Sequence, residues 1–192
     1  MARSSSPSPA QLALTGANAA EDLEKLGWSD NDVLYTLGGS GNPDLTLNTS
    51  FRLAEALGDG YEELRQALID DDVLRVRLFA LLGGSTALGD HLVAHPEKWK
   101  LLAEPLPSSE EIFQAMLGAV DAEPVEGDPT ASKSCDCAGT YRAAVTGTEA
   151  KKLLKDAYRT LVMRVAAADL AGTYSAFKGY GAQHEELSLI HI

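Results

Sequence analysis

The stretch that most restricts the fold is residues 77–99, RLFALLGGSTALGDHLVAHPEKW. An unbroken apolar run ends on Gly83-Gly84, and a glycine there can take the left-handed conformation that closes a helix. Ser85 is suited to cap the next helix, and Pro96 to open a third at its first position. Such a passage reads as successive short helices joined by tight turns. Nothing in it binds or reacts on its own account.

The rest of the chain repeats this grammar. Apolar residues at helical spacing, punctuated by glycine or proline, predict helices over 19–26, 31–37, 43–57, 61–69 and 72–82. Ser29 with Asp32, and Asn42 before Pro43, are the expected caps of two of them. Residues 73–78 alternate for a few positions and imitate a strand. Continued to Leu82, they place Leu74, Leu78 and Leu81 on one helical face. Asp70, Asp71 and Asp72 then lie at that helix's N-terminus, where its dipole favours negative charge, and capping with solvation explains them better than a cation site.

Further helices are expected over 85–94 and 96–103, and over 108–120, where Ser108 and Glu111 form a capping box. Residues 121–147 carry prolines and glycines amid small polar and acidic residues and read as an exposed loop. The longest helix is expected from about 148 to 173, with Leu153, Leu154, Ala157, Leu161, Val162, Val165 and Ala168 as its apolar stripe. Residues 1–16 are Ser/Pro-rich and expected to be disordered. The expected layout is therefore a disordered 1–16, a helical subdomain 17–120, a loop 121–147 and a long helical arm 148–186, making an all-α, irregular multi-helix bundle.

The chain has 192 residues and a formal charge of −12, from 28 acidic and 16 basic side chains. That sign disfavours nucleic acid and anionic membrane surfaces as partners. No apolar run reaches the roughly 18–20 residues of a membrane span, and the first residues lack the apolar core of a signal peptide, so a cytoplasmic location is expected. Cys135 and Cys137 form a lone C-x-C in a polar segment, a poor zinc site, since tetrahedral zinc wants four ligands. His91 and His95 share a helix face at a spacing zinc enzymes use, but no third ligand is evident and Leu92 stands where the glutamate of H-E-x-x-H would be. Structural roles are expected for both histidines, and Trp28 and Trp99 are expected in the core.

Three motifs, in order, carry a family resemblance. Residues 81–99 match L-L-G-x-S-x-x-L-x-D-x-L-x-x-H-P-E-x-W, with Leu88, Asp90, Leu92, His95, Pro96 and Glu97 in step. Residues 157–170 are similar to A-Y-R-R-x-L-L-R-I-A-A-R-D-L, departing at Thr160 and at Ala168. Residues 42–47 and 51–57 resemble D-P-D-x-A-L and R-L-x-E-A-L. The pattern resembles the N-terminal region of the bifunctional glutamine synthetase adenylyltransferase/adenylyl-removing enzymes in their actinobacterial form.

The resemblance implies a parent enzyme that adenylylates a tyrosine of glutamine synthetase with ATP and removes the group by phosphorolysis, with Mg²⁺ and ATP as its cofactors. Glutamine synthetase and a PII-type signal protein are its implied partners. This chain would be the N-terminal helical part of the adenylyl-removing nucleotidyltransferase domain, its catalytic sheet largely absent. Nucleotidyl transfer of this kind needs a Gly-Ser turn for the triphosphate and paired carboxylates for two metal ions. Gly38-Gly39-Ser40 is followed by Asp44 alone, and Gly83-Gly84-Ser85 by Asp90 alone. Both read as helix-terminating turns, so no catalytic, cofactor-binding or metal-binding residue is assigned, and the fragment itself is expected to be inactive. The ending Leu-Ser-Leu-Ile-His-Ile resembles a translated sequencing adapter; residues 187–192 are expected not to be natural protein, and His191 is given no role. The alternative is a free-standing acidic helical adaptor without catalysis, separable by whether the reading frame continues past Ser188 into an S-D-x-D motif.

Overall fold

The computed structural model describes residues 6–126 and 140–178, with side chains described through residue 172. Eight helices make up most of it: α1 (Ala19–Lys25), α2 (Asn31–Gly38), α3 (Pro43–Leu57), α4 (Tyr61–Asp70), α5 (Asp72–Gly84), α6 (Thr86–Ala94), α7 (Ser109–Ala119) and α8 (Gly147–Lys178). A short 3-10 turn (Pro9–Leu12) precedes them, and a longer 3-10 helix (Pro96–Leu102) follows α6 where an α-helix over 96–103 was expected. The all-α reading holds.

The middle of the fold is α5, which packs against α2, α3, α4, α6 and α8. Every residue from Leu78 to Gly83 is buried, so this half of the helix is enclosed on all sides rather than along one stripe. Leu74, Leu78, Phe79, Leu81 and Leu82 are all buried, and Trp28 packs its ring 5.2 Å from that of Phe79. Arg75 lies buried in the same helix and is fully engaged. Its guanidinium donates to the Leu68 carbonyl at 2.8 Å, closing the end of α4, and pairs with Asp72. A cation at a helix C-terminus is favoured by both the open carbonyls and the dipole.

Asn42, Asp71, Ser85 and Ser108 cap α3, α5, α6 and α7 through their side chains, the last in a capping box with Glu111. The expected cap of α2 is displaced by one residue. Asp30, not Ser29, accepts from the Asp32 and Val33 amides at 2.9 and 3.1 Å.

Gly83 and Gly84 do not close α5 by a left-handed turn; both are helical residues, and neither has a positive φ. Their service is close approach. A Cβ on Gly83 would lie 2.6 Å from Thr46 Oγ1 and 3.1 Å from the Asn42 backbone nitrogen, and one on Gly84 would lie 2.9 Å from Leu170 Cδ1. The missing methyls let α3 press on one side of the α5 terminus and α8 on the other.

Two further expectations fail locally. Residues 6–16 are not a featureless tail: Leu12 and Leu14 are buried in the core, and the Asp44 carboxylate accepts from the backbone amides of Thr15 and Gly16 at 3.0 and 3.1 Å. Two apolar side chains in a Ser/Pro-rich segment were too few to register as a pattern. At the other end, residues 121–147 are not wholly open loop. Strands β1 (Ala122–Pro124) and β2 (Tyr141–Ala143) pair antiparallel, setting Glu123 opposite Arg142, and Tyr141 meets Phe113 of α7 edge-on at 5.7 Å. Opposite charges across a ladder stabilise such a short pairing.

The long helix α8 lies on α5 and α7, but with a different face inward from the one its leucines suggest. Met163, Ala167 and Ala171 are buried, while Val165 is 47% and Tyr158 61% exposed. The inward face runs through Met163, Ala167 and Ala171, with Leu170 set against Gly84 of α5. Arg164 of α8 donates to the Pro105 carbonyl at 2.7 Å and so ties α8 to the segment that follows the 3-10 helix.

Candidate functional site

At the edge of the core, α6, the 3-10 helix and α8 meet in a polar cluster. The last turn of α6 carries His91, its C-cap is His95, and one turn into the 3-10 helix comes Lys98. From α8 come Asp156 and Thr160, four residues apart and hence on one face. They continue the buried line of Met163 and Ala167, so α8 changes from an apolar to a polar contact along its own inner face.

The contacts are specific. His95 Nε2 lies 3.1 Å from Asp156 Oδ1, and Lys98 Nζ lies 2.8 Å from Asp156 Oδ2. Lys98 also donates to Thr160 Oγ1 at 2.9 Å, and that hydroxyl donates to the Asp156 carbonyl at 2.9 Å. His91 Nε2 stands 3.4 Å from the same hydroxyl, and the two imidazole rings lie 4.9 Å apart. Burial pushes the His91 imidazole below its ordinary value, and the charges of Lys98 and His95 push the same way. At Asp156 burial opposes ionisation, but the hydrogen bond and charge of Lys98, with His95 and His91, outweigh it and hold the carboxyl below its usual range.

The expectation that the histidine pair has no third partner does not hold. His91, His95 and Asp156 each offer a donor atom within 4.8 Å of the others. What sequence reasoning missed is Asp156. The available signal was an acid one turn before Thr160, in line with residues that face inward, but the leucine-rich flank of the helix drew the stripe elsewhere.

The other singled-out residues are structural where they are described. Asp44 is taken up by Thr15 and Gly16, which draw its carboxyl below the ordinary value. Asp90 pairs with Arg52 at 2.7 Å. Asp71 caps α5, Asp72 holds Arg75, and Asp70 accepts from Gln66 at 3.0 Å. Trp28 and Trp99 are core residues, as expected. Cys135, Cys137, His191 and the suspected tail 187–192 lie outside the described residues. Among the described residues no helix is long and apolar enough to cross a membrane.

No family model and no solved structure matches the chain. Curated proteins do. A bifunctional glutamine synthetase adenylyltransferase/adenylyl-removing enzyme of Corynebacterium diphtheriae is 43% identical over 90% of this chain and 20% of its own length. Proteins of the same name from Corynebacterium glutamicum and Nocardia farcinica are 48% and 44% identical, over 88% and 90% of this chain and 18% and 17% of theirs. By this similarity the chain belongs to the bifunctional glutamine synthetase adenylyltransferase/adenylyl-removing enzyme family, spanning about a fifth of the length of the relatives it matches.

Proposed function

We propose that these residues are the N-terminal helical segment of an enzyme that attaches an adenylyl group to glutamine synthetase and removes it again, and that the segment acts as a scaffold rather than a catalyst. The observation that carries the reading is the similarity itself, 43–48% identity to several enzymes of that name over about nine-tenths of the chain. ATP and Mg²⁺ belong to the whole enzyme, with glutamine synthetase and a PII-type protein as its partners in the cytoplasm.

The engagement of the two lone aspartates supports the absence of catalysis here. Two-metal phosphoryl chemistry needs paired carboxylates aligned on the reacting phosphate. Asp44 is occupied by the N-terminal strap and Asp90 by Arg52, and neither has a second acid beside it at D-x-D spacing. Neither Gly-Ser turn is a phosphate cradle, because Ser85 caps α6 and Ser40 bonds Thr46 at 2.8 Å. Helices that pack around a catalytic domain help hold reacting groups in position.

The test incubates the 192-residue chain with adenylylated glutamine synthetase, phosphate and Mg²⁺. No ADP is expected. Phosphate-dependent ADP release that disappears on Asp44→Asn or Asp90→Asn would overturn the scaffold reading. In a full-length relative, deleting the equivalent helices is expected to impair the removal reaction, and an unchanged rate would equally contradict it.

A further inference from the structure

We propose that His91, His95 and Asp156 form a binding site for a first-row transition-metal dication of the zinc class, two imidazoles and one carboxylate oxygen taking three positions and solvent the fourth. The inference rests on side chains of this chain alone and is independent of the function proposed above.

Donor chemistry selects the ion. Two imidazole nitrogens with one carboxylate suit zinc and its neighbours, whereas magnesium and calcium take oxygen ligands. Geometry is already close to what is required. With metal–ligand bonds near 2.0–2.2 Å, tetrahedral donors sit roughly 3.4 Å apart. His95 Nε2 and Asp156 Oδ1 stand at 3.1 Å, and all three donors lie within 4.8 Å of one another. No separation need close by more than about 1.4 Å. The side chain with room to move is His95, 40% exposed, while buried His91 and the Asp156 carboxylate held by Lys98 provide the fixed points. That same exposure gives an ion an entry path and leaves room for a water.

Two neighbours fix the carboxylate. Lys98 holds Asp156 Oδ2, which leaves Oδ1, the oxygen facing His95, as the ligand. Thr160 in turn accepts from Lys98, so the ammonium is oriented by a side chain of the same helix that carries the carboxylate. Partners of this kind orient metal ligands. Lys98 also repels a dication, so the site binds less tightly than a structural zinc shell of four protein ligands. Replacing that charge by a neutral hydrogen-bond donor, Lys98→Gln, should tighten binding by about tenfold or more.

The test strips the full chain with a chelator and titrates it with Co²⁺, followed by its visible ligand-field bands, and with Zn²⁺ in competition with a chromophoric chelator. Expected is one ion per chain, with affinity falling at least tenfold in His91→Ala, His95→Ala and Asp156→Asn and rising in Lys98→Gln. The exposed position of His95 makes His95→Ala decisive if His91→Ala does not fold. A Cys135→Ser/Cys137→Ser variant is expected to bind as the parent does. The proposal is overturned by the absence of saturable binding, by binding that survives His95→Ala and Asp156→Asn, or by binding lost with the cysteines.

Discussion

Substituting Gly83 by alanine sets two effects of opposite sign against each other. In an open helix the change stabilises by roughly 1 kcal/mol, because glycine loses more backbone freedom on folding. At Gly83 the new methyl would meet Thr46 Oγ1 at 2.6 Å and the Asn42 backbone nitrogen at 3.1 Å. Thr46 cannot swing aside freely. Its hydroxyl bonds Ser40 Oγ at 2.8 Å and the Asn42 carbonyl at 2.9 Å, and the residue is wholly buried. Overpacking costs about 1–3 kcal/mol, and each displaced hydrogen bond about 1 kcal/mol more. The steric side wins, and a net loss of about 2–3 kcal/mol is expected, a fall in Tm of roughly 5–10 °C for a chain of this size. Urea and thermal unfolding followed by circular dichroism measure it. Gly118 in α7 supplies the contrast: a Cβ there meets nothing within 4 Å, and Gly118→Ala should stabilise by about 0.5–1 kcal/mol. In a Thr46→Ala background the cost of Gly83→Ala should shrink by at least about 1 kcal/mol, since the obstructing oxygen is gone. A neutral or stabilising Gly83→Ala, or an equal cost in both backgrounds, would refute the close-packing account.

Leu12→Ala should destabilise by about 2–4 kcal/mol, a core-sized loss in a segment whose composition suggests a tail, and a change below about 0.5 kcal/mol in the unfolding free energy from urea titration would show that residues 6–16 do not belong to the core. The Thr15 and Gly16 hydrogen bonds depress the Asp44 carboxyl below its ordinary 3.8, so they stabilise the fold above that pH and the contribution is lost as pH falls through the lowered value; the stability gap between parent and Asp44→Asn should narrow on acidification below about pH 4 and stay constant above it. Burial raises the Tyr61 phenol from 10.0 to about 12, so its contribution is complete below pH 10 and disappears as pH climbs towards 12; Tyr61→Phe should flatten that alkaline loss of at most about 3 kcal/mol and cost about 1 kcal/mol at neutral pH, where the phenol donates to the Leu26 carbonyl at 2.8 Å. Ser108→Ala should cost about 1 kcal/mol by removing the capping box of α7, read as a lower urea midpoint with an unchanged slope.

What the sequence determined by itself is local. Helix positions followed from apolar spacing, and the caps Asn42, Asp71, Ser85 and Ser108 could be read because a capping side chain serves amides two or three residues away. The neighbouring choice between Ser29 and Asp30 shows the limit of that reading, since either side chain could serve and only the entry angle of the chain selects one. Tertiary structure decided everything that joins distant segments. Gly83 and Gly84 look like helix stops in one dimension, and only the arrival of Thr46 and Leu170 makes them packing residues. The inner face of α8 was hidden for the same reason: the stripe drawn through its leucines and valines does not contain Met163 and Ala167, and only packing on α5 turns that face inward. His91 and His95 were legible as a pair, but Lys98 was not singled out and Asp156 lies 58 positions beyond it, and nothing in the sequence says that α8 packs upon the 3-10 helix. Caps and periodicity act within one helical turn and are written in adjacent residues; a site assembled from three elements depends on the packing of helices, which no single stretch of the chain contains.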